Sequence, residues 1–170
     1  MSARSLCLEP HPALRAETRR VEEFAKPLRE LVRDMVDTMY AHRGIGLAAP
    51  QVGVDLQLFV ASPDQRRGRE IILANPVLEH ADGRTGVVEG CLSVPHVWER
   101  VRRSARVRVR GQDVDGHPII MNAEGLLAIV LQHEMDHLQG RLFLDRLSWP
   151  RRLRARLMAM RRAARVPAGS

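Results

Sequence analysis

The chain has few of the residues that define several large classes of protein. Its 170 residues include only 2 cysteines, which are too few for a disulfide framework and fit a reducing compartment. No apolar run approaches the length that crosses a bilayer, and the first residues lack the basic-then-apolar order of a secretory signal. We therefore expect neither a membrane protein nor a disulfide-rich secreted protein.

Lysine is nearly absent, although the chain is strongly basic. Lys26 is the only lysine, the net charge is +7 and the sequence pI is about 11.0, so arginine carries almost all of the positive charge. This charge makes an anionic partner worth considering, and the nucleotide composition of the source genome explains the arginine equally well. The length and the ordinary composition predict one globular domain over residues 1–170.

The most informative segment is Gln132–His137, with the sequence QHEMDH. It continues an apolar run from Leu126 that is too long for a typical buried strand, so we predict a helix. Asn122 is the expected N-cap, with Glu124 in the first turn and Gly140 as the stop.

Two histidines on this helix indicate a metal site. His133 and His137 lie one turn apart on the same face, so both imidazoles can reach one ion. Glu134 then lies close enough to act on water without being a ligand. The alternative is a chance pair of histidines, but apolar residues of the run share their face, and buried polar groups need partners.

A catalytic metal of this type usually has three protein ligands and one open position. After His137 the sequence has no further His, Glu or Cys, and Asp145 is the only candidate. Phe143 stands where one protease superfamily places a third histidine. We therefore expect the third ligand upstream.

Cys91, in the segment Glu89–Pro95, is the upstream candidate. It could be a small buried hydrophobe, as free cysteine usually is. It could instead be a nucleophile paired with a helical histidine, but that leaves the second histidine and Glu134 without roles. As a thiolate ligand, Cys91 completes a Cys-His-His site that uses every residue.

The segment Gly44–Gly53 is glycine-rich, small and apolar around the polar Gln51. Glycines permit positive φ or close backbone approach, and small side chains leave room for a ligand. Taken alone, the segment is best explained as a tight helix-to-strand connection. Its glycine spacing does not match a dinucleotide-binding fingerprint.

Elsewhere the periodicity predicts one amphipathic helix and several strands. We expect turns at Asn75-Pro76 and Asp113–Gly116, the second closing a hairpin. His80, His96 and His117 have no partner at metal-binding spacing and are interpreted as surface or locally bonded. The predicted helix and strands are Pro27–Tyr40, Leu58–Val60, Ile71–Leu73, Arg84–Val88 and Arg106–Arg110.

Three segments, in this order, closely resemble the peptide deformylase family. Gly44–Gln51 matches Gly-x-Gly-x-Ala-Ala-Pro-Gln, Glu89–Ser93 matches Glu-Gly-Cys-x-Ser, and Gln132–His137 matches Gln-His-Glu-x-Asp-His. The resemblance covers most of the chain. It implies an α+β fold, with mixed β-sheets around a central metal-binding helix. The implied activity is removal of the formyl group from the N-terminal N-formylmethionine of new polypeptides, with release of formate.

The resemblance also implies roles for individual residues. A metal lowers the pKa of bound water, a carboxylate moves protons, and hydrogen-bond donors hold the oxyanion. A Cys-His-His set accepts zinc, nickel, cobalt or ferrous iron, and the resemblance favours ferrous iron. The implied metal ligands are Cys91, His133 and His137. The implied general acid/base is Glu134, and the implied oxyanion donors are the Gln51 side-chain amide and the Leu92 backbone N–H.

Further residues are expected to bind the substrate. The methionine side chain would enter an apolar slot, and two glycines would offer backbone hydrogen bonds. We also place the motif glutamate, Glu89, at the substrate site. The apolar slot comprises Ile45, Leu126, Ile129 and Val130, and the two glycines are Gly46 and Gly90.

The chain departs from the family pattern beside Glu89. Many bacterial members carry an arginine near the substrate entrance that pairs with the motif glutamate. This chain has Trp98 at that position, with Arg100 and Arg102 nearby. The resemblance therefore does not identify the partner of Glu89.

Two other functions compete with this one. A general His-Glu-x-x-His metalloprotease lacks support downstream of the helix, where no third ligand of the usual kind follows. A non-enzymatic RNA- or ribosome-binding protein would explain the charge but not the intact set of ligands, base and oxyanion donors.

The arginine-rich end, residues 148–165, is predicted to form a helix capped by Ser148. Its apolar stripe would face the protein body, and its arginines would cover the remaining surface. The helix could be merely a solvated basic face, but the implied substrate leaves an RNA-coated particle, so we expect transient ribosome association. We further expect a monomer in the bacterial cytoplasm that binds neither membrane nor DNA. The stripe consists of Trp149, Leu153, Leu157 and Met160.

Overall fold

The computed structural model describes residues 3–163, with side chains through residue 159. Within that range it contains three α-helices and seven β-strands. The helices are α1 (Lys26–Ala41), α2 (Gly125–Leu138) and α3 (Trp149–Ala163), and the strands are β1 (Gly46–Ala48), β2 (Leu58–Ala61), β3 (Ile71–Asp82), β4 (Thr85–Cys91), β5 (Val94–Arg103), β6 (Arg106–Gln112) and β7 (Pro118–Glu124).

The strands form two sheets in which every pair is antiparallel. Five strands follow the order β1-β2-β3-β6-β7, while β4 and β5 form a separate hairpin. Helix α2 packs on the larger sheet through a cluster that includes Phe59, Leu73 and Leu131. Nearly all of α2 from Ala128 to Leu138 is buried, so any polar group it carries must be satisfied inside the protein.

The predicted start of α2 is wrong by two residues. Asn122 and Glu124 belong to β7, where Asn122 pairs with Arg108 and Glu124 with Arg106. The chain passes directly from this strand into the helix at Gly125, whose φ is +59°. Pairing with β6 overrides the local capping preference of Asn122.

The predicted turn at Asn75-Pro76 is also wrong, because β3 continues through it as a bulge. Asn75 has φ +51°, and the register with β6 shifts there, which is where a strand tolerates proline. The Asn75 amide donates to the Val21 carbonyl at 2.9 Å and accepts from the Val21 N–H at 2.8 Å. A long-range pair of hydrogen bonds thus stabilises the kink.

Strand β5 was not predicted, although its residues alternate between buried and exposed from Val97 to Arg103. Its inward residues include Glu99 and Arg103 as well as Val97 and Val101. Because two charged residues point inward, the hydropathy pattern of a half-buried strand is absent. Helix α1 and strand β2, whose patterns are purely apolar, agree with prediction to within one residue at each end.

The orientation of α3 is opposite to the prediction. Trp149, Leu153 and Leu157 are 68%, 45% and 47% exposed, whereas Ala155 is fully buried and Ala159 packs on the same apolar cluster. Small alanines let the helix approach the body closely. The side chains of Met160, Arg161 and Arg162, and residue Arg165, lie outside the described residues.

Ion pairs account for this orientation. Arg151 and Arg154 contact the nearly buried Glu99 at 2.7 and 3.3 Å, and Arg156 contacts Asp145 at 3.4 Å. A carboxylate taken out of water needs cationic or hydrogen-bonding partners. These acids therefore select the arginine-bearing face of α3.

Among the described residues, no helix is long and apolar enough to span a bilayer.

We expect the Leu73→Ala substitution in β3 to lower the free energy of unfolding by about 2–5 kcal/mol, because it leaves a cavity under α2. Leu73 is fully buried, whereas Leu78 on the same strand is 43% exposed. Leu78→Ala is the matched control and should change stability much less. Urea denaturation measures both, and equal losses would contradict this account of the core.

Candidate metal centre

Helix α2 presents its two histidines to one point. His133 and His137 are one turn apart, and their ring centroids are separated by 5.0 Å. Burial and the adjacent His133 lower the pKa of His137 well below its usual value, which favours the neutral imidazole that binds metals. The Nδ1 of His137 is buried and makes no hydrogen bond to the described residues.

Cys91 reaches the same point from the end of β4. The β4–β5 register is irregular between Glu89 and Cys91, just before the hairpin turns beside His137 at the C-terminal end of α2. Cys91 Sγ lies 3.3 Å from His137 Nε2, and one ligand atom from each of Cys91, His133 and His137 lies within 4.8 Å of the others. A thiolate and two imidazoles suit a transition-metal ion and leave one coordination position open.

Glu89 stands behind one of these ligands. Its Oε2 accepts a hydrogen bond of 2.8 Å from Nδ1 of His133, leaving the other ring nitrogen for a metal. This carboxylate–histidine arrangement orients the imidazole and raises its basicity. The Glu89 carboxylate is buried and held by these contacts, and Glu89 also lines the cavity at this centre.

The partner of Glu89 is Arg103, which was not predicted. Its Nε and Nη2 donate to the two Glu89 oxygens at 2.7 and 2.8 Å, whereas Trp98 and its neighbours Arg100 and Arg102 do not fill this role. Although burial alone would raise the pKa of Glu89, hydrogen bonds from Arg103 and His133 lower it to about 2.

Arg103 also connects Glu89 to α2. Its Nη1 donates to Asp136, which is also held by Arg146 through two contacts of 2.6 Å. The Arg103 side chain is completely buried. Such a charge is tolerated only where several partners satisfy it, so this network fixes the hairpin against the helix.

Glu134 lies beside the three donors in a confined space. A Cβ added to Gly46 would collide with the Glu134 carboxylate, so a larger residue at position 46 would displace Glu134. Burial raises the pKa of Glu134 to about 7, the range in which a carboxylate can both accept and donate a proton near neutral pH. Its Oε2 makes no hydrogen bond to the described residues.

The side-chain amide of Gln51 is oriented by its surroundings. Its Oε1 accepts from the Ala48 N–H at 2.8 Å, while Nε2 lies 3.1 Å from Ser93 Oγ and 3.5 Å from Cys91 Sγ. The amide nitrogen is thereby turned towards the metal centre. Leu92 directly follows Cys91 in the β4–β5 turn, so its backbone N–H lies on the same side of the candidate metal centre as Cys91.

A cavity of about 830 Å³ opens onto this centre. It brings together the predicted apolar slot and the two predicted glycines, along with Glu134, Gln51 and Leu92. Trp98, which the family pattern places near the substrate entrance, lines the cavity; it is 69% exposed and its ring lies over Gly90. The predicted slot and glycine residues on the cavity wall are Ile45, Leu126, Ile129, Val130, Gly46 and Gly90.

We expect Arg103→Met to lower the free energy of unfolding by about 3–5 kcal/mol, because Glu89 and Asp136 would remain buried without their cation. Arg102→Met, at the exposed neighbouring position, is the control and should change stability by about 0.5 kcal/mol or less. Denaturant titration of both variants provides the measurement. A loss at Arg103 as small as that at Arg102 would show that the network contributes little.

Sequence and fold comparisons identify relatives with the same architecture. The polypeptide deformylase family model matches residues 3–152. A peptide deformylase from Legionella pneumophila is 42% identical, with a TM-score of 0.92 and coverage of 97% of this chain and 99% of that chain. The enzyme from Thermus thermophilus is 38% identical, with a TM-score of 0.88 and coverage of 98% of this chain and 100% of that chain.

A third structure carries a bound ligand. The peptide deformylase from Synechococcus elongatus in complex with actinonin is 39% identical, with a TM-score of 0.85 and coverage of 92% of this chain and 85% of that chain. These matches confirm the predicted α+β fold and the predicted removal of the formyl group from new polypeptides. The chain therefore belongs to the polypeptide deformylase family.

Proposed function

We propose that Cys91, His133 and His137 hold one divalent metal ion and that Glu134 is the general acid/base of formyl-amide hydrolysis. The observation that carries this proposal is the meeting of the three donor atoms within 4.8 Å, on a cavity also lined by Glu134. A bound metal ion supplies Lewis acidity and activates water for attack on the formyl carbon.

Glu134 moves the proton. With a pKa of about 7, its carboxylate accepts a proton from the attacking water and then donates it to the departing amine nitrogen. The space left by Gly46 allows Glu134 to occupy this position. Gln51 Nε2 and the Leu92 N–H donate to the oxyanion as charge develops, and the Ala48 N–H keeps the Gln51 amide correctly turned.

The cavity wall supports N-formylmethionyl ends as substrates. Ile45, Leu126, Ile129 and Val130 give an apolar wall suited to an unbranched methionine side chain. Gly46 and Gly90 leave their backbones open to an extended peptide. Ferrous iron is the metal we propose in the cell, with zinc, nickel or cobalt able to substitute because the same donors bind each of them.

The alternative function, a general metalloprotease, has weaker support. Its downstream ligand would have to be Asp145, but that carboxylate contacts Arg15 at 2.5 Å and accepts from the Leu142 N–H at 2.9 Å. Asp145 is thus used in holding the chain after α2. Cleavage of internal peptide bonds in casein would revive this alternative.

We expect Glu134→Ala to retain stoichiometric metal and to lose about a hundredfold or more in formate release from a formyl-Met peptide, because the residue handles protons and does not bind the ion. Glu124→Ala, at an exposed glutamate just before α2, is the control and should keep full activity. Metal analysis accompanies both assays. If the Glu134 variant purifies without metal, the residue is a ligand and the assignment is wrong.

We further propose that residues 1–170 act as one monomeric domain in the bacterial cytoplasm, where formylated new polypeptides arise, and that α3 associates transiently with the ribosome. The exposed Leu153 and Leu157 lie beside Arg154, whose side chain is 65% exposed. This mixed face suits a surface that combines protein and RNA phosphate. No membrane or DNA contact is proposed.

We expect Arg154→Glu to weaken co-sedimentation with ribosomes, and the binding of the unaltered chain to fall as salt rises. Arg33→Glu, on the exposed face of α1, is the matched charge control and should bind normally. Formate release from a short peptide checks that both variants are folded. If both variants pellet like the unaltered chain, α3 is only a solvated helix.

A further inference from the structure

A second cavity, of about 620 Å³, lies apart from the metal centre. It forms where the turn between β3 and β4 and the turn between β5 and β6 meet α2. Its wall includes four arginines, and none of the predicted ligand, acid/base, oxyanion or substrate-binding residues lines it. We call it the arginine cavity; the four arginines are Arg84, Arg102, Arg103 and Arg146.

Two of these arginines already form ion pairs with acidic residues. Arg103 is shared between Glu89 and Asp136, and Arg146 pairs with Asp136. The remaining two, Arg84 and Arg102, form no ion pair or side-chain hydrogen bond with any residue between 3 and 159. Positive charge gathered in a concave surface focuses the local potential and attracts anions.

The acid on the cavity wall does not neutralise this charge. Asp82 accepts from Arg106 Nε at 2.8 Å and also contacts His80. The cavity thus retains an excess of positive charge.

The arginines of the neighbouring strand β6 have acidic partners. Arg108 and Arg110 share Glu79 at 3.1 and 2.9 Å, and Arg106 pairs with Asp82. These acids are therefore not available to Arg84 and Arg102.

The two unpaired arginines reach the cavity from adjacent segments. Arg102 is opposite Gly86 in the β4–β5 register, and Arg84 lies in the turn just before β4 begins at Thr85. Both residues line the cavity, so their guanidinium groups can bind one tetrahedral anion together.

Backbone contacts hold the back of the cavity. Gln132 accepts from the Ser104 N–H and donates to the Ser104 carbonyl, both at 3.0 Å. Ser104 lines the cavity, and its hydroxyl makes no hydrogen bond to the described residues. It supplies a further donor for an anion oxygen.

We propose that the arginine cavity binds a phosphate group through Arg84 and Arg102, with Arg146 and Ser104 completing the site. The phosphate could belong to a small free anion or to an RNA backbone, since the recognising chemistry is the same. This inference does not rest on the proposed catalytic roles.

The test uses the metal-loaded, full-length chain with two probes, inorganic pyrophosphate and a single-stranded RNA oligonucleotide. Calorimetry or fluorescence titration measures Kd for the unaltered chain and for the double variant Arg84→Gln/Arg102→Gln. We expect the double variant to bind at least about tenfold more weakly, because charge-assisted hydrogen bonds are lost. Formate release should stay unchanged, since neither arginine contacts the metal centre.

The matched control is Arg33→Gln/Arg69→Gln, which removes the same charge from two exposed arginines outside the cavity. Saturable pyrophosphate binding that only the cavity variant loses supports a site for a small anion. Much tighter RNA binding, with a shallower salt dependence in the cavity variant by roughly 0.7 log–log units for each lost phosphate contact, supports an RNA backbone. Equal weakening in both double variants, or no binding of either probe, overturns the proposal.

Discussion

The buried guanidinium of Arg103 is the interaction on which the metal centre depends. It joins Glu89, near the end of β4, to Asp136 on α2, and Glu89 in turn holds the ring of His133. A charge at this depth is stable only while its partners stay ionised and close. The same contacts therefore dock the β4–β5 hairpin on the helix and orient His133, a proposed metal ligand.

The second constraint is space. Gly46 leaves the space that Glu134 occupies beside the proposed ligands, and burial raises the pKa of Glu134 to about 7, a range suited to proton transfer. The same glycine-rich segment orients Gln51 through the Ala48 N–H. A segment that the sequence alone explains as a simple connection thus positions both the proposed base and a proposed oxyanion donor.

The surface follows a different rule, which is the matching of arginines to acids. Glu99 and Asp145 draw the arginine-bearing face of α3 against the body and leave Leu153 and Leu157 in solvent. In the arginine cavity, Arg84 and Arg102 have no acidic partner among the described residues, and we propose that a phosphate group takes that place. The net charge alone predicts neither the orientation of α3 nor the unpaired arginines of the cavity.

The sequence by itself determined the elements and residues whose signals are short-range. His133 and His137 follow from helical spacing, α1 and β2 from apolar periodicity, and the family from three motifs in order. Only the tertiary structure decided pairings between distant segments, including Arg103 with Glu89, the kink at Asn75 and the face that α3 presents. Hydropathy patterns record which residues avoid water, but a buried charge or amide is stabilised by a particular partner elsewhere in the chain. No local pattern encodes that partner, so it becomes visible only when the fold brings the two together.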